Sequence, residues 1–272
     1  MESFRDKVTI VTGGASGIGR AISEKMAAAG ALLVIADINL AQAQIVAQQI
    51  NSVGGRAEAV QTDVSQYEQV KKLIDDTFAQ YGRLDYMFNN AGFAIVGEVQ
   101  DLTIEHWEKQ LSVNLMGVIY GTTEAYRLMV KQGFGHIVNT ASLAGLIGFP
   151  SGVPYATSKH AVWGLSRSLR AEGRVYGVKV TAICPGFVES SIYDSAVRVN
   201  TPNEEFRKAI PFKIIPTAQA ANAILKGVLA DQEVIVFPFY ARLSWWVSVN
   251  FPALTRFFYA RSVKKYRDSK KN

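Results

Sequence analysis

Tyr155 and Lys159 stand four residues apart, directly after Pro154. Proline favours the first turn of a helix, and a four-residue spacing then puts both side chains on one helix face. A free tyrosine ionises near pKa about 10 and exchanges protons poorly at neutral pH. A neighbouring ammonium and a helix N-terminus both favour the phenolate, which lets Tyr155 pass a proton to or from a hydroxyl or carbonyl oxygen. The pair alone says little, because Tyr-x-x-x-Lys occurs three times, as Tyr67/Lys71, Tyr155/Lys159 and Tyr266/Lys270. Context separates them. Only Tyr155 has a serine thirteen residues upstream, Ser142, and only Tyr155 is followed, after one more helix and strand, by Pro185-Gly186. His106 and His160 are tempting as bases but read as structural, since His106 lies in a polar segment and His160 sits on another helix face from Lys159.

Upstream, Thr12-Gly13-Gly14-Ala15-Ser16-Gly17-Ile18-Gly19 follows the apolar run 8–11. A buried strand, a glycine-rich turn and a helix make a recipe for holding a diphosphate: glycines let the backbone come close, and the helix aims its first N–H groups at negative charge. The spacing is not G-x-G-x-x-G. Asp37 closes the second apolar run, 32–36, twenty residues after Gly17. A carboxylate there accepts hydrogen bonds from an adenosine ribose and repels a 2′-phosphate. No basic residue occupies Ser16, Ile38 or Asn39, so NAD is expected in preference to NADP.

Strand-like runs at 8–11, 32–36, 57–61, 84–88, 135–140, 178–183 and 233–237 alternate with helical stretches such as 41–53 and 70–80. Gly54-Gly55 and Gly82 fall where helices should end. This alternation predicts an α/β fold, a doubly wound (Rossmann) sheet of seven parallel strands with its ligand site at the strands' carboxyl ends. The dehydrogenase-like domain is expected over 1–238, with a helical C-terminal extension over 239–272.

These motifs together resemble the short-chain dehydrogenase/reductase family, specifically over residues 6 to about 190 and loosely to about 238. The glycine turn is similar to the family's T-G-x-x-x-G-x-G fingerprint. The resemblance implies a cofactor site of Gly13, Ser16, Gly17, Ile18, Gly19 and Asp37, with Asp63-Val64 at the adenine. It adds Asn90, Ala91 and Gly92 beside the central sheet, Pro185, Gly186 and Val188 capping the nicotinamide, and Ser190, where the family usually has threonine. It implies a catalytic tetrad of Asn114, Ser142, Tyr155 and Lys159. Ser142 would bond the substrate oxygen, Tyr155 exchange its proton, Lys159 lower the tyrosine pKa and hold the nicotinamide ribose, and Asn114 order a water. The implied reaction is hydride transfer between nicotinamide and a secondary alcohol or ketone, with no metal. A 3-oxoacyl reductase is the enzymatic alternative, and a non-catalytic cofactor-sensing scaffold the non-enzymatic one.

The substrate side reads as apolar: Phe93, Phe149 and Phe187 are expected to meet a lipophilic, steroid-like or long-chain substrate, under a lid at 189–215 that adds Tyr193, Phe206 and Phe212. The chain has 272 residues, 49% of them hydrophobic and 19% charged, and a net charge of +6. Residues 241–272 hold eight basic side chains against one acidic, Asp268, so the rest of the chain is nearly neutral and the basic excess gives no sign of nucleic-acid binding. A third of the aromatic residues also lie between Phe237 and Tyr266. Aromatic and basic composition of this kind suits a membrane interface. It is similar to the C-terminal region of the hydroxysteroid-dehydrogenase branch, whose paired tails dip into a bilayer. Pro252 is expected to split the tail into two short helices, with Trp245, Trp246, Phe251, Phe257 and Phe258 at the acyl boundary and Arg256, Arg261, Lys264 and Lys265 at the headgroups. A homodimer or homotetramer is expected. The lone Cys184, the charged start and the lack of a long apolar stretch lead to an expected cytoplasmic location, peripheral to the inner face of a membrane.

Overall fold

All five residues of β1 (Val8–Thr12) are buried, as befits the middle of a sheet covered on both faces. The computed structural model describes residues 4–190, 192–200 and 212–269. Phe206 and Lys270, and the side chains of Lys265 and Tyr266, lie outside them.

The sheet runs β3 (Arg56–Gln61), β2 (Leu32–Asp37), β1, β4 (Tyr86–Asn89), β6 (Gly135–Thr140), β7 (Val178–Pro185), β9 (Val234–Phe237), all parallel. The order reverses between β1 and β4, and a crevice opens at such a switch point beyond the carboxyl ends. One face is filled by Ile22 and Met26 of α1 (Gly17–Ala28) and Ile224 of α8 (Thr217–Leu229), against Leu33, Ile35 and Phe88. The other is filled by Leu73 and Ile74 of α3 (Tyr67–Tyr81) and Met129 of α5 (Gly117–Gln132), against Ile10, Val34, Met87 and Ile137. Each such side chain contributes about 1.5–3 kcal/mol by burial, so the two layers clamp the sheet that carries the site. The fold is therefore the doubly wound, single-domain α/β arrangement the periodicity predicts.

Three features depart from expectation. The fourth strand begins at Tyr86 rather than residue 84; just before it Asp85 bonds Val8 and His136 through its backbone, while its carboxylate accepts the Val8 N–H (3.0 Å) and pairs with Arg83. Two-residue strands β5 (Ile95–Val96) and β8 (Val197–Arg198) pair in a second small sheet, too short to leave a periodicity in the sequence. The helix formed by α4 (Ile104–Leu111) and α5 runs on through one π-helical turn at Ser112–Met116. Such insertions occur often at functional sites.

The tail forms two helices, α9 (Phe239–Asn250) and α10 (Pro252–Ser269), separated at Pro252. It is less detached than the sequence implies. Trp245 does not face outward: it meets Trp163 of α6 (Val153–Gly173) edge-on, with ring centroids 6.3 Å apart. The Tyr259 ring lies so close to Gly148 that a Cβ there would approach it to 3.0 Å, and Arg267 pairs with Glu98 at 2.7 Å. Trp246, Phe251, Phe257 and Phe258 remain half or more exposed. Among the described residues no helix is long and apolar enough to cross a membrane.

Candidate active site

The glycine turn joins β1 to α1 with Gly13 (φ 63) and Gly17 (φ 53) in the left-handed region. Its tightness is set by Gly19, where a Cβ would lie 2.2 Å from the Gly13 carbonyl oxygen and 2.5 Å from Asn90 Nδ2. Ser16 occupies the N-cap, Ile18 leans on the core, and the first turn of α1 holds no acidic side chain to cancel its positive end. Asp37, at the end of β2, accepts the Ala15 N–H through Oδ2 (3.1 Å), which ties the carboxylate to the same turn. Its Oδ1 accepts the Asn39 N–H (3.0 Å), and Asn39 caps α2 (Leu40–Ser52) through Gln42. This cradle, which a Cβ would fill, and its adjoining carboxylate fit the diphosphate and ribose of a dinucleotide.

Thr12 opens the glycine motif, but the sequence assigns it no role of its own. Its Oγ1 accepts the N–H groups of Asn90 (3.0 Å) and Ala91 (3.1 Å), and Asn90 Nδ2 donates to the Thr12 carbonyl (3.1 Å). The segment after β4 is thereby fastened to the glycine turn. Below it, Asn89 donates to Asn139 (2.8 Å) and Thr122 (3.1 Å) in a fully buried network across β4, β6 and α5. Asp63 shapes its own loop, its Oδ1 accepting from Ser65 N (2.9 Å) and Oγ (2.7 Å), while Val64 packs against Gly117.

Ser142 follows β6 and starts a short 3-10 turn, its Oγ accepting the Ala144 N–H at 3.1 Å. Gly145 in that turn lies against α6: a Cβ would meet the Lys159 carbonyl oxygen at 2.5 Å. That close approach sets the turn carrying Ser142 beside the first turns of α6, which carry Tyr155 and Lys159. Lys159 is buried, donates to the Thr140 carbonyl (2.7 Å), and holds its ammonium 5.7 Å from the centre of the Tyr155 ring. Burial lowers the lysine pKa to about 8.

Burial pushes the Tyr155 pKa up, and Ser142 opposes that shift. The Lys159 ammonium lies between the Tyr155 ring and the Thr140 carbonyl it bonds.

Asn114 lies in the π-helical turn, fully buried, and both ends of its amide are committed to Phe93: Oδ1 accepts the Phe93 N–H (3.0 Å) and Nδ2 donates to its carbonyl (2.9 Å). Its side chain shapes the site wall, since a Cβ on Gly92 would meet Asn114 Oδ1 at 3.2 Å. The Phe149 ring meets Tyr155 edge-on at 6.2 Å. Beyond Pro185, Val188 is buried and bridges to Ile215, while Ser190 comes over the glycine turn, 3.2 Å from where a Gly17 Cβ would stand. Phe187 lies among Phe212 and Tyr240, and Tyr193 is buried.

The other candidates fall away from this cluster. Tyr67 donates to Glu124 (3.0 Å) and Lys71 pairs with Asp75 on an exposed helix face. His106 completes the cap of α4 with Thr103, and His160 bonds the Ala156 carbonyl (2.9 Å), so both are structural. Cys184 is buried with its pKa pushed up to about 12, an inert thiol. Among the described residues no group of carboxylates, histidines or cysteines could hold a metal. A hollow of about 790 Å³ lined by Arg5, Gly30, Gly54 and Arg56 opens at the amino-terminal ends of β1–β3, away from all these residues.

The short chain dehydrogenase family matches residues 7–200, and the chain belongs to that family. Among its relatives, levodione reductase of Leifsonia aquatica is 34% identical over 84% of this chain and 89% of that protein. Cyclohexanol dehydrogenase of Acinetobacter sp. strain SE19 is 36% identical over 70% of this chain and 76% of its own. A short chain dehydrogenase/reductase from Burkholderia phymatum, solved in complex with NAD, superposes with a TM-score of 0.85 at 29% identity, covering 94% of this chain and 97% of that one. The protein is accordingly an oxidoreductase of this family, the class that works with a nicotinamide cofactor.

Proposed function

We propose that the chain is an NAD-dependent oxidoreductase acting on a hydrophobic secondary alcohol or its ketone, with Ser142, Tyr155 and Lys159 as the reacting constellation. The observation that carries this reading is the buried Lys159, its ammonium 5.7 Å from the Tyr155 ring and bonded to Thr140, with Ser142 on the turn packed against the same helix, beyond the carboxyl end of β6 in the sheet whose β1 carries the glycine cradle. A nicotinamide held by the glycine cradle and Asp37 would supply the hydride donor or acceptor and, in its oxidised form, a positive charge favouring the phenolate. Ser142 Oγ holds the substrate oxygen against the Tyr155 hydroxyl. In ketone reduction Tyr155 donates its proton to the developing alkoxide; in oxidation it accepts the hydroxyl proton. Lys159 holds the ribose and is fixed by Thr140. Asn114, braced against Phe93, would order a water in the proton path. Phe93, Phe149 and Phe187 supply an apolar wall suited to a cyclic, steroid-like or long-chain substrate. The two named relatives, by name a cyclohexanol dehydrogenase and a levodione reductase, support action on an alcohol or its ketone.

Asp37 sets the preference for NAD. We expect kcat/KM to be at least tenfold higher with NAD than with NADP, and Asp37→Ala to narrow the gap. Equal or better efficiency with NADP overturns the assignment.

A second reading concerns where the enzyme works. Phe239, Leu243, Trp246, Val249, Phe257 and Phe258 on α9 and α10, and Phe251 between them, expose large apolar surfaces, along with exposed Arg256, Arg261 and Lys264. We propose that this face, the C-terminal extension of a 1–238 catalytic unit, rests on an anionic membrane, each cation contributing roughly 1 kcal/mol. Full-length protein should float with anionic phospholipid vesicles at low salt, and a Trp246→Ser/Phe257→Ser/Phe258→Ser variant should not. Wild-type protein that ignores such vesicles contradicts the membrane reading and leaves the face to a homodimer or homotetramer contact.

A further inference from the structure

The β7–β9 pairing does not stop at the strands. Pro185 lies opposite Phe237, and the Gly186 N–H donates to the Phe237 carbonyl at 2.7 Å. Because α9 begins at Phe239, its first turn is delivered directly beside the segment 186–188. There the Tyr240 hydroxyl accepts the Phe187 N–H at 2.5 Å. The Tyr240 ring stacks on Phe212, with centroids 4.3 Å apart and planes 5° apart, and on Phe187 at 6.4 Å. Gly186 makes this possible: a Cβ there would stand 2.6 Å from the Tyr240 hydroxyl oxygen. The glycine of the Pro-Gly pair is thus required by a tyrosine of the tail.

We propose that Tyr240 is a positioning residue for cofactor binding, which sets the segment Gly186–Val188 at the height needed to cap the nicotinamide. The inference rests on the reading of that segment as part of a nicotinamide site. A main-chain N–H held at a fixed point by a stacked ring leaves the segment fewer orientations to lose on binding, so affinity for the dinucleotide is higher. Tyr240 acts through Phe187 and does not itself touch the reacting atoms.

The test is titration of the full-length protein with NADH, for the wild type, Tyr240→Phe, Tyr240→Leu and Tyr67→Phe as a control. Loss of one hydrogen bond predicts a dissociation constant roughly three- to tenfold higher for Tyr240→Phe. Tyr240→Leu, which also removes both ring contacts, should lose more, and Tyr67→Phe should match the wild type. A purely structural tyrosine would lower the melting temperature yet leave the dissociation constant of the folded protein unchanged, so unchanged affinity in both Tyr240 variants overturns the proposal. A wild type that binds no NADH is a different result, overturning the nicotinamide reading itself and this inference with it.

Discussion

Tyr155→Phe lowers kcat by roughly 10²–10⁴-fold, the range by which a positioned acid–base group accelerates proton transfer. The ring and its edge contact with Phe149 at 6.2 Å are kept, so NADH binding and the melting temperature should change little. Turnover within about tenfold of the wild type contradicts the role given to Tyr155. The direction of its pKa adds a pH signature. Burial raises it, so the phenol persists at neutral pH and the phenolate needed for alcohol oxidation accumulates only on the alkaline side. Oxidation should therefore rise with pH while ketone reduction, which uses the phenol, falls. Tyr67→Phe should be kinetically silent, because that hydroxyl serves Glu124 on an exposed face.

Gly19→Ala is expected to weaken NADH binding by roughly 5- to 150-fold, from an overpacking cost of about 1–3 kcal/mol. The new methyl would meet backbone, the Gly13 carbonyl oxygen at 2.2 Å, so the cradle itself must open. Gly164→Ala is the contrasting substitution. Nothing lies within 4 Å of its Cβ position inside α6, so alanine there should stabilise the helix by roughly 0.5–1 kcal/mol. NADH titration and thermal melts of both variants separate the effects. Gly19→Ala with wild-type affinity contradicts the cradle; a Gly19→Ala chain that melts far below Gly164→Ala shows instead that the turn is needed for folding.

The sheet was legible in the sequence because its inner strands are buried on both faces and read as apolar runs, such as Leu33-Val34-Ile35-Ala36. Helix ends were legible where a left-handed residue is required, as at Gly82 (φ 68). The Tyr155/Lys159 pair was legible from spacing, since one helix face carries both, and Ser142 from its place after an apolar strand; Asn114 came only with the family resemblance. What escaped depends on contacts between distant segments. Gly145 looks like any loop glycine until α6 is laid against it, and Thr12 like any strand threonine until Asn90 and Ala91 reach its hydroxyl. Trp245 and Trp246 are adjacent, and no composition says that one turns to Trp163 while the other stays exposed. Nor does sequence reveal the direction of the Lys159 ammonium, which Thr140 fixes.

Direct transfer of a hydride is the claim on which the rest depends, and isotope labelling tests it. The wild type, given NAD and cyclohexanol, a steroid alcohol or a long-chain secondary alcohol deuterated at the carbinol carbon, should yield the ketone and NADH carrying that deuterium, as read by mass spectrometry. NADH formed without the label, or no NADH from any of the three alcohols, contradicts the account.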